Sequence, residues 1–190
     1  VKAKGGATRI VDADEEVGRG RPDTFAKLRP AFGAQGTVTA ASSSKISDGA
    51  AALTLASGAK VQALGAKPLA RILAFADAEQ EPERFTTAPA AAVRRALARA
   101  GLRVEDVDAW EINEAFGVVV LANVKLLGLD IAKVNVLGGA CALGHPIGCS
   151  GARIVVTLCS ALAATAGRYG VAAICNGGGG ATAIVLERCS

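Results

Sequence analysis

NVLGGACALGHPIGCSG, residues 135–151, holds the only histidine of the 190-residue chain. A short apolar run ends in two glycines, a turn of small residues follows, then His145-Pro146, and a helix is expected to open near Ser150. A strand that stops in a glycine-rich turn and restarts as a helix leaves backbone N–H groups free at the helix N-terminus. Open α/β sheets bind their ligands at such points. A lone histidine in a turn more often caps or packs than reacts, so the choice between the two readings falls to the rest of the chain.

Outward from this stretch, composition sets the class. The chain is 51% hydrophobic with only 4% aromatic residues and 23 glycines, so its core has to be built from Ala, Val, Leu and Ile in compact α/β layers. The length suits one sizeable domain or two small ones. Net charge is +4, and no Lys/Arg-rich run is interleaved with aromatics, which argues against a nucleic-acid partner and is compatible with a small polyanionic ligand. Five cysteines show neither CxxC nor zinc-ligand spacing; the expectation is reduced thiols in an intracellular protein and no metal site. Apolar runs stop well short of the roughly 18 residues that a membrane span needs. The initial Val and the absence of Met point to a processed or excised piece, or to a missing start.

Read in order, residues 1–37 are irregular and exposed, and DEEVGRGRPDTFAKLRP resembles an excursion over a surface, as much a solvated loop as a ligand contact. Residues 37–55 open with a strand-like alternation and pass through the Ser42-Ser43-Ser44 loop. A short helix over 57–64 ends near Gly65, and LARILAFADAE reads as a buried strand. Residues 86–100 form a helix with Thr87 as N-cap, Pro89 in its first turn and Gly101 as stop; its arginines 94, 95 and 99 read as a solvated face. Strands are expected at 110–112 and 134–137, and helices at 117–127 and from Ser150 to about Ala163. Residues 170–188 read as two strands joined by four glycines, a hairpin. The alternation implies an α/β fold on a mostly parallel sheet with a final antiparallel pair.

Three polar clusters fall where strands are expected to end: Asn113, His145 and Cys175, the last beside a glycine turn. Imidazole, carboxamide and thiol around one ligand could activate a thiol, hold a water and move protons, with glycine N–H groups stabilising an oxyanion. That is acyl-transfer or carbanion chemistry. Each cluster alone has an ordinary structural explanation as a capped turn, a core thiol or a hairpin; together they favour a catalytic site.

At these residues a family resemblance becomes specific. NEAF at 113–116, GGACALGHPIGCSGAR at 138–153, CNGGGG at 175–180 and, upstream, TVTAASSSKISDGAAAL at 37–53 resemble successive signatures of the thiolase family, in order along nearly the whole chain. PLARILAFADAEQEP and ICNGGGGATAIVLE look most like its biosynthetic, eukaryotic members acting on acetoacetyl-CoA. The resemblance implies a layered α-β-α-β-α architecture of two similar halves, of which this chain supplies the C-terminal one. Residues 1–44 would be the tail of a loop domain, 45–66 the last elements of the N-terminal half, and 67–190 the C-terminal domain.

It also implies the reversible Claisen condensation of two acetyl-CoA molecules to acetoacetyl-CoA and free CoA, with no cofactor beyond these thioesters. His145 would activate a nucleophilic cysteine and later donate to the thioester oxygen, and Asn113 would hold the water of that oxyanion site. Cys175 would remove the α-proton, and the Gly177 N–H would serve a second oxyanion hole. Ser44, Phe116 and Arg19 would contact CoA; Ser42 stands where the family has an asparagine, and Thr24 where close relatives have a basic residue. The nucleophile's usual context surrounds none of the cysteines here, so it is expected in an N-terminal half outside this chain. Some relatives hold a potassium ion on carbonyls beside the serine loop. The complete enzyme would be a homodimer or homotetramer in the cytoplasm or the mitochondrion. A degradative thiolase for longer 3-ketoacyl chains and a non-catalytic acyl-CoA-binding module are the alternatives.

Overall fold

The computed structural model of the chain describes residues 1–2, 5–14 and 18–189; Glu15, Glu16 and Val17 of the expected surface excursion lie outside them. Its strands are β1 (Ala70–Glu79), β2 (Ala109–Ile112), β3 (Tyr169–Cys175) and β4 (Gly180–Arg188). Its helices are α1 (Gly58–Leu64), α2 (Ala88–Ala100), α3 (Gly117–Leu127), the single turn α4 (Ala140–Leu143) and α5 (Ser150–Ala164). The strands form one mixed sheet in the order β1-β4-β3-β2. The final hairpin is present, β3 against β4, but the sheet is not mostly parallel: β2–β3 is parallel, while β1–β4 and β3–β4 are antiparallel. The sequence order hides this because β1 lies beside β4, the last strand of the chain, and not beside its neighbour in sequence.

Period-2 alternation divides the strands between two helical layers. Val171, Ala173, Ala181, Ala183 and Val185 face Ala92, Val93, Ala96 and Leu97 of α2. Ala109, Ala172 and Leu186 face Ile154, Leu158, Ala161 and Leu162 of α5. Alanines on both sides let helix and sheet approach closely, which is how a chain so poor in aromatics fills its core. α2 stops at Gly101 as expected, but the Thr87 side chain does not cap it; its hydroxyl donates to the Arg84 carbonyl (3.1 Å). Nor are the α2 arginines merely solvated. Arg95 and Arg99 donate to the Asp77 and Phe75 carbonyls of β1 (2.9 and 2.6 Å), and Arg94 to Leu126. β1 is an edge strand, and an edge with exposed carbonyls is a pairing hazard that such donors blunt.

Two expected strands are missing. Residues 37–39 run irregularly into a single 3₁₀ turn, Ala40–Ser42, because the Ser42 and Ser43 hydroxyls bond back to the Thr39 carbonyl and compete with a ladder. Residues 134–137 contribute only a Trp110–Val134 bridge. Asn135 then turns left-handed, φ 48°, and completes the pairing with its side chain: Nδ2 donates to the Ile112 carbonyl (2.9 Å) and Oδ1 accepts from the Ile112 N–H (2.8 Å). Asn tolerates this conformation better than most residues. A carboxamide thus replaces one residue of a fifth strand along the edge of β2.

Candidate active site

β2 is buried at every position, and its alternation decides which side chains reach the site. Trp110 and Ile112 pack with the α2 layer and Ala109 with the α5 layer, so Glu111 and Asn113 are turned toward α5. The Asn113 N–H donates to the Ala173 carbonyl (3.0 Å), which carries the parallel ladder one residue further and sets Asn113 beside β3, two residues before Cys175. The two strands end on the same edge, the carboxyl edge where α/β sheets collect reactive groups.

His145 is fixed from three directions. Its backbone N–H donates to the Lys45 carbonyl (2.7 Å), pairing the turn with the segment after the serine cluster. Its Nδ1 lies 2.6 Å from Ser150 Oγ at the start of α5, and its Nε2 lies 3.3 Å from Nδ2 of Asn113. Asn113 is 1% exposed, and its Oδ1 accepts from Arg153 Nη2 (3.4 Å). Burial, then the Arg153 charge, holds the imidazole below its ordinary pKa. A neutral ring suits a proton acceptor.

Cys175 closes β3, and burial pushes its thiol up. The turn after it is built by Asn176, whose Oδ1 accepts from the N–H groups of Gly178 (3.0 Å) and Gly180 (3.3 Å). Gly179 is required there: its φ is +89°, and a Cβ would lie 2.1 Å from the Gln80 carbonyl oxygen. The Gly177 N–H has no hydrogen-bond partner among the described residues, which leaves it available to an oxyanion.

Ser44 is docked on the Asn113–Phe116 segment. Its N–H and hydroxyl both donate to the Ala115 carbonyl (3.2 and 2.8 Å), and Ser43 bridges to Phe116. Phe116 meets Phe32 and Phe85 edge to face, with ring centroids 5.6 and 6.4 Å away. Asn113, His145, Ser44 and Phe116 are therefore joined through one contact set, with Cys175 and Gly177 at the end of the adjacent strand. Arg19 is exposed in the amino-terminal segment, and none of the contacts that join the others involves it.

Sequence reasoning missed the residues that hold this arrangement. Glu114 accepts from Asn135 Nδ2 (3.0 Å) and from the Cys141 N–H (2.9 Å), clamping the turn that leads to His145. Glu111, 1% exposed, faces Arg153 at 3.5 Å and is pushed up to about 7, chiefly by burial. A carboxylate inside a four-residue strand of otherwise apolar side chains was the available signal. Cys141 is pushed up to about 11 by burial, with Glu114 adding to it, and burial also raises Cys159; both are the opposite of activated nucleophiles. Among the described residues no group of three or more His, Cys, Asp or Glu side chains could hold a metal ion. No helix among them is long and apolar enough to cross a membrane.

Comparison with known proteins gives this geometry a context. The family model described as thiolase, C-terminal domain, matches residues 66–188, and that of the thiolase N-terminal domain matches residues 1–59. The chain is 57% identical to acetyl-CoA acetyltransferase 2 of Arabidopsis thaliana over 98% of its own length and 47% of that protein's. It is 53% identical to the mitochondrial acetyl-CoA acetyltransferase A of Xenopus laevis, over 99% of this chain and 44% of that one. The crystal structure of the Acat5 thiolase of Ascaris suum in complex with coenzyme A superposes with a TM-score of 0.84 at 48% identity, covering 94% of this chain and 47% of that one. The chain thus spans about half the length of the relatives it matches.

Proposed function

We propose, since this chain belongs to the thiolase family, that it carries the carboxy-terminal catalytic part of an acetyl-CoA C-acetyltransferase. The reaction is the reversible Claisen condensation of two acetyl-CoA molecules to acetoacetyl-CoA and CoA. The observation that carries the reading is the convergence of Asn113 Nδ2 and His145 Nε2, 3.3 Å apart, at the end of a strand paired with the one that ends in Cys175. Residues 67–190 act as the C-terminal domain, 45–66 as the last elements of the N-terminal half, and 1–44 as a loop-domain tail.

In this reading the neutral His145 takes the proton of a cysteine that lies outside this chain; the raised thiols of Cys141 and Cys159 support leaving it unassigned here. That thiolate attacks the first acetyl-CoA, the bond to the CoA sulfur breaks, the CoA thiolate takes the proton of Cys175 and leaves, and the acetyl group stays on the nucleophile's sulfur. Cys175, as thiolate, removes a proton from the methyl of the second acetyl-CoA. The resulting enolate oxygen is held by His145, whose Nε2 now carries the proton taken from the cysteine, and by a water on Asn113. The enolate carbon attacks the acetyl-enzyme, whose tetrahedral oxyanion receives the Gly177 N–H, and the C–S bond breaks to release acetoacetyl-CoA while the freed cysteine thiolate recovers its proton from His145. A buried thiol with a raised pKa is a strong base once ionised.

Ser44 and Phe116 line the CoA path, and Arg19 reaches the phosphate end. A potassium ion would rest on serine-loop carbonyls, of which Lys45 O already accepts from the His145 N–H, and no step passes through it. The complete enzyme is proposed to be a homodimer or homotetramer in the cytoplasm, with the mitochondrion as alternative.

The test is Cys175→Ser in the full-length enzyme. Condensation should fall by orders of magnitude while acetyl labelling of the nucleophile persists; undiminished condensation removes Cys175 from the mechanism. The 190-residue chain alone is expected to show no thiolysis of acetoacetyl-CoA.

A further inference from the structure

The hydrogen-bond network around His145 is not symmetric, and the asymmetry reaches Arg153, whose hydrogen bonds go to Glu111, Thr157 and Asn113 and not to the imidazole. On the Nδ1 side stands Ser150 Oγ at 2.6 Å, which also lies 3.0 Å from the Pro146 carbonyl. A hydroxyl can accept or donate. That carbonyl already receives the backbone N–H groups of Cys149 and Ser150 (2.8 and 3.0 Å), so the hydroxyl can turn to either partner at small cost. Ser150 therefore permits both neutral tautomers.

The Nε2 side permits one. Asn113 presents an amide nitrogen or an amide oxygen to Nε2, and the other end of the carboxamide faces Arg153 Nη2 at 3.4 Å. A guanidinium donates and never accepts. If the carboxamide flipped, its NH2 would face a cation and a donor at a position where Asn113 is 1% exposed, so solvent screens the clash little. Oδ1 is thus committed to Arg153, Nδ2 is committed to His145, and Nε2 must offer its lone pair. Arg153 is itself held by Glu111 Oε2 (3.5 Å) and Thr157 Oγ1 (3.3 Å).

We infer that Arg153 is a positioning residue: by fixing the orientation of the Asn113 carboxamide it sets His145 in the Nδ1–H tautomer with the Nε2 lone pair turned into the site. The catalytic use of that lone pair rests on the function proposed above, but the tautomer does not. The ion pair of α5 with β2 thereby prepares the base before any substrate arrives, because a ring that had to change tautomer first would delay proton transfer.

His145 is the only histidine in the 190 residues, so selective 15N-histidine labelling of the chain gives one unambiguous imidazole. Long-range 1H–15N correlation at about pH 8, above the ordinary histidine value of about 6.5, should show a protonated Nδ1 and an unprotonated Nε2. In Arg153→Met the Nε2–H form should become the majority while the backbone amide spectrum stays folded. Because that change strands the Glu111 carboxylate, the double variant Glu111→Gln/Arg153→Met is measured beside it. An Nε2–H majority in the unsubstituted chain overturns the inference outright, and so does retention of Nδ1–H in a folded variant without Arg153. No substrate is involved, so failure here and failure of the acetyltransferase reading are distinguishable.

Discussion

Gly139 is the position at which the clamp on the His145 turn can be tested most directly. Its φ of −142° suits any residue, so alanine brings no backbone strain. Its surroundings do not suit alanine: a Cβ there would lie 2.3 Å from Glu114 Cδ and 2.4 and 2.5 Å from the carboxylate oxygens. Gly139→Ala must therefore expel the carboxylate from its bonds to Asn135 Nδ2 and the Cys141 N–H. Hydrogen bonds to a charged group contribute about 1.5–3 kcal/mol each. Glu114 is only half-buried and regains water when displaced, so about 2–4 kcal/mol is expected for the pair. Glu114→Ala should lose a similar amount by leaving the same two donors empty. The decisive measurement is the double variant by urea unfolding. Without the carboxylate, Gly139→Ala has room, and its effect should vanish or turn into a gain of up to about 1 kcal/mol from the stiffer unfolded chain. A coupling of about 2–4 kcal/mol follows. If the single losses add within about 0.5 kcal/mol, the clamp as described is wrong.

Three other changes probe the rest of the site. Asn135→Ala should destabilise by about 2–4 kcal/mol through lost bonds to the Ile112 backbone and Glu114. Asn135→Gly should recover about 1 kcal/mol of that, because only the left-handed turn is relieved; equal losses in urea unfolding would contradict the assigned backbone role. Glu111 is raised from 4.5 in the unfolded chain to about 7 in the fold, so its contribution is full below 4.5 and lost as the pH rises through about 7. The stability of the unsubstituted chain relative to Glu111→Gln should accordingly be greater at about pH 5 than at about pH 8. His145 works the other way: held below its ordinary value of 6.5, it makes the fold lose stability as the pH falls below that value, and His145→Gln should remove that slope from the acid limb.

The legible parts of the chain were those decided within a few residues or by a motif that carries its chemistry with it. α1 between Ser57 and Gly65, α3 ending at Gly128, and the hairpin around Asn176–Gly179 follow from caps and turn residues that act locally. The meeting of Asn113 with His145, near the strand that ends in Cys175, was foreshadowed by carboxamide, imidazole and thiol standing where strands were expected to end. The parts that were not legible depend on partners far along the chain. Val134–Leu137 has the composition of a strand, yet whether it pairs was settled by Asn135, whose side chain takes the Ile112 hydrogen bonds 23 residues away.

The α2 arginines look solvated until β1 is placed under them. Arg153 reads as one more helix charge until the alternation of β2 turns Glu111 and Asn113 toward it. These concealed residues share a physical cause. The candidate site holds groups against local preference: a buried carboxylate, a left-handed Asn, a glycine pressed on a carboxylate, and each is stable only through contacts that the fold supplies. The groups proposed to react stand in motifs, whereas the residues that aim them become visible only when the sheet edge, α5 and the turn before His145 are brought together.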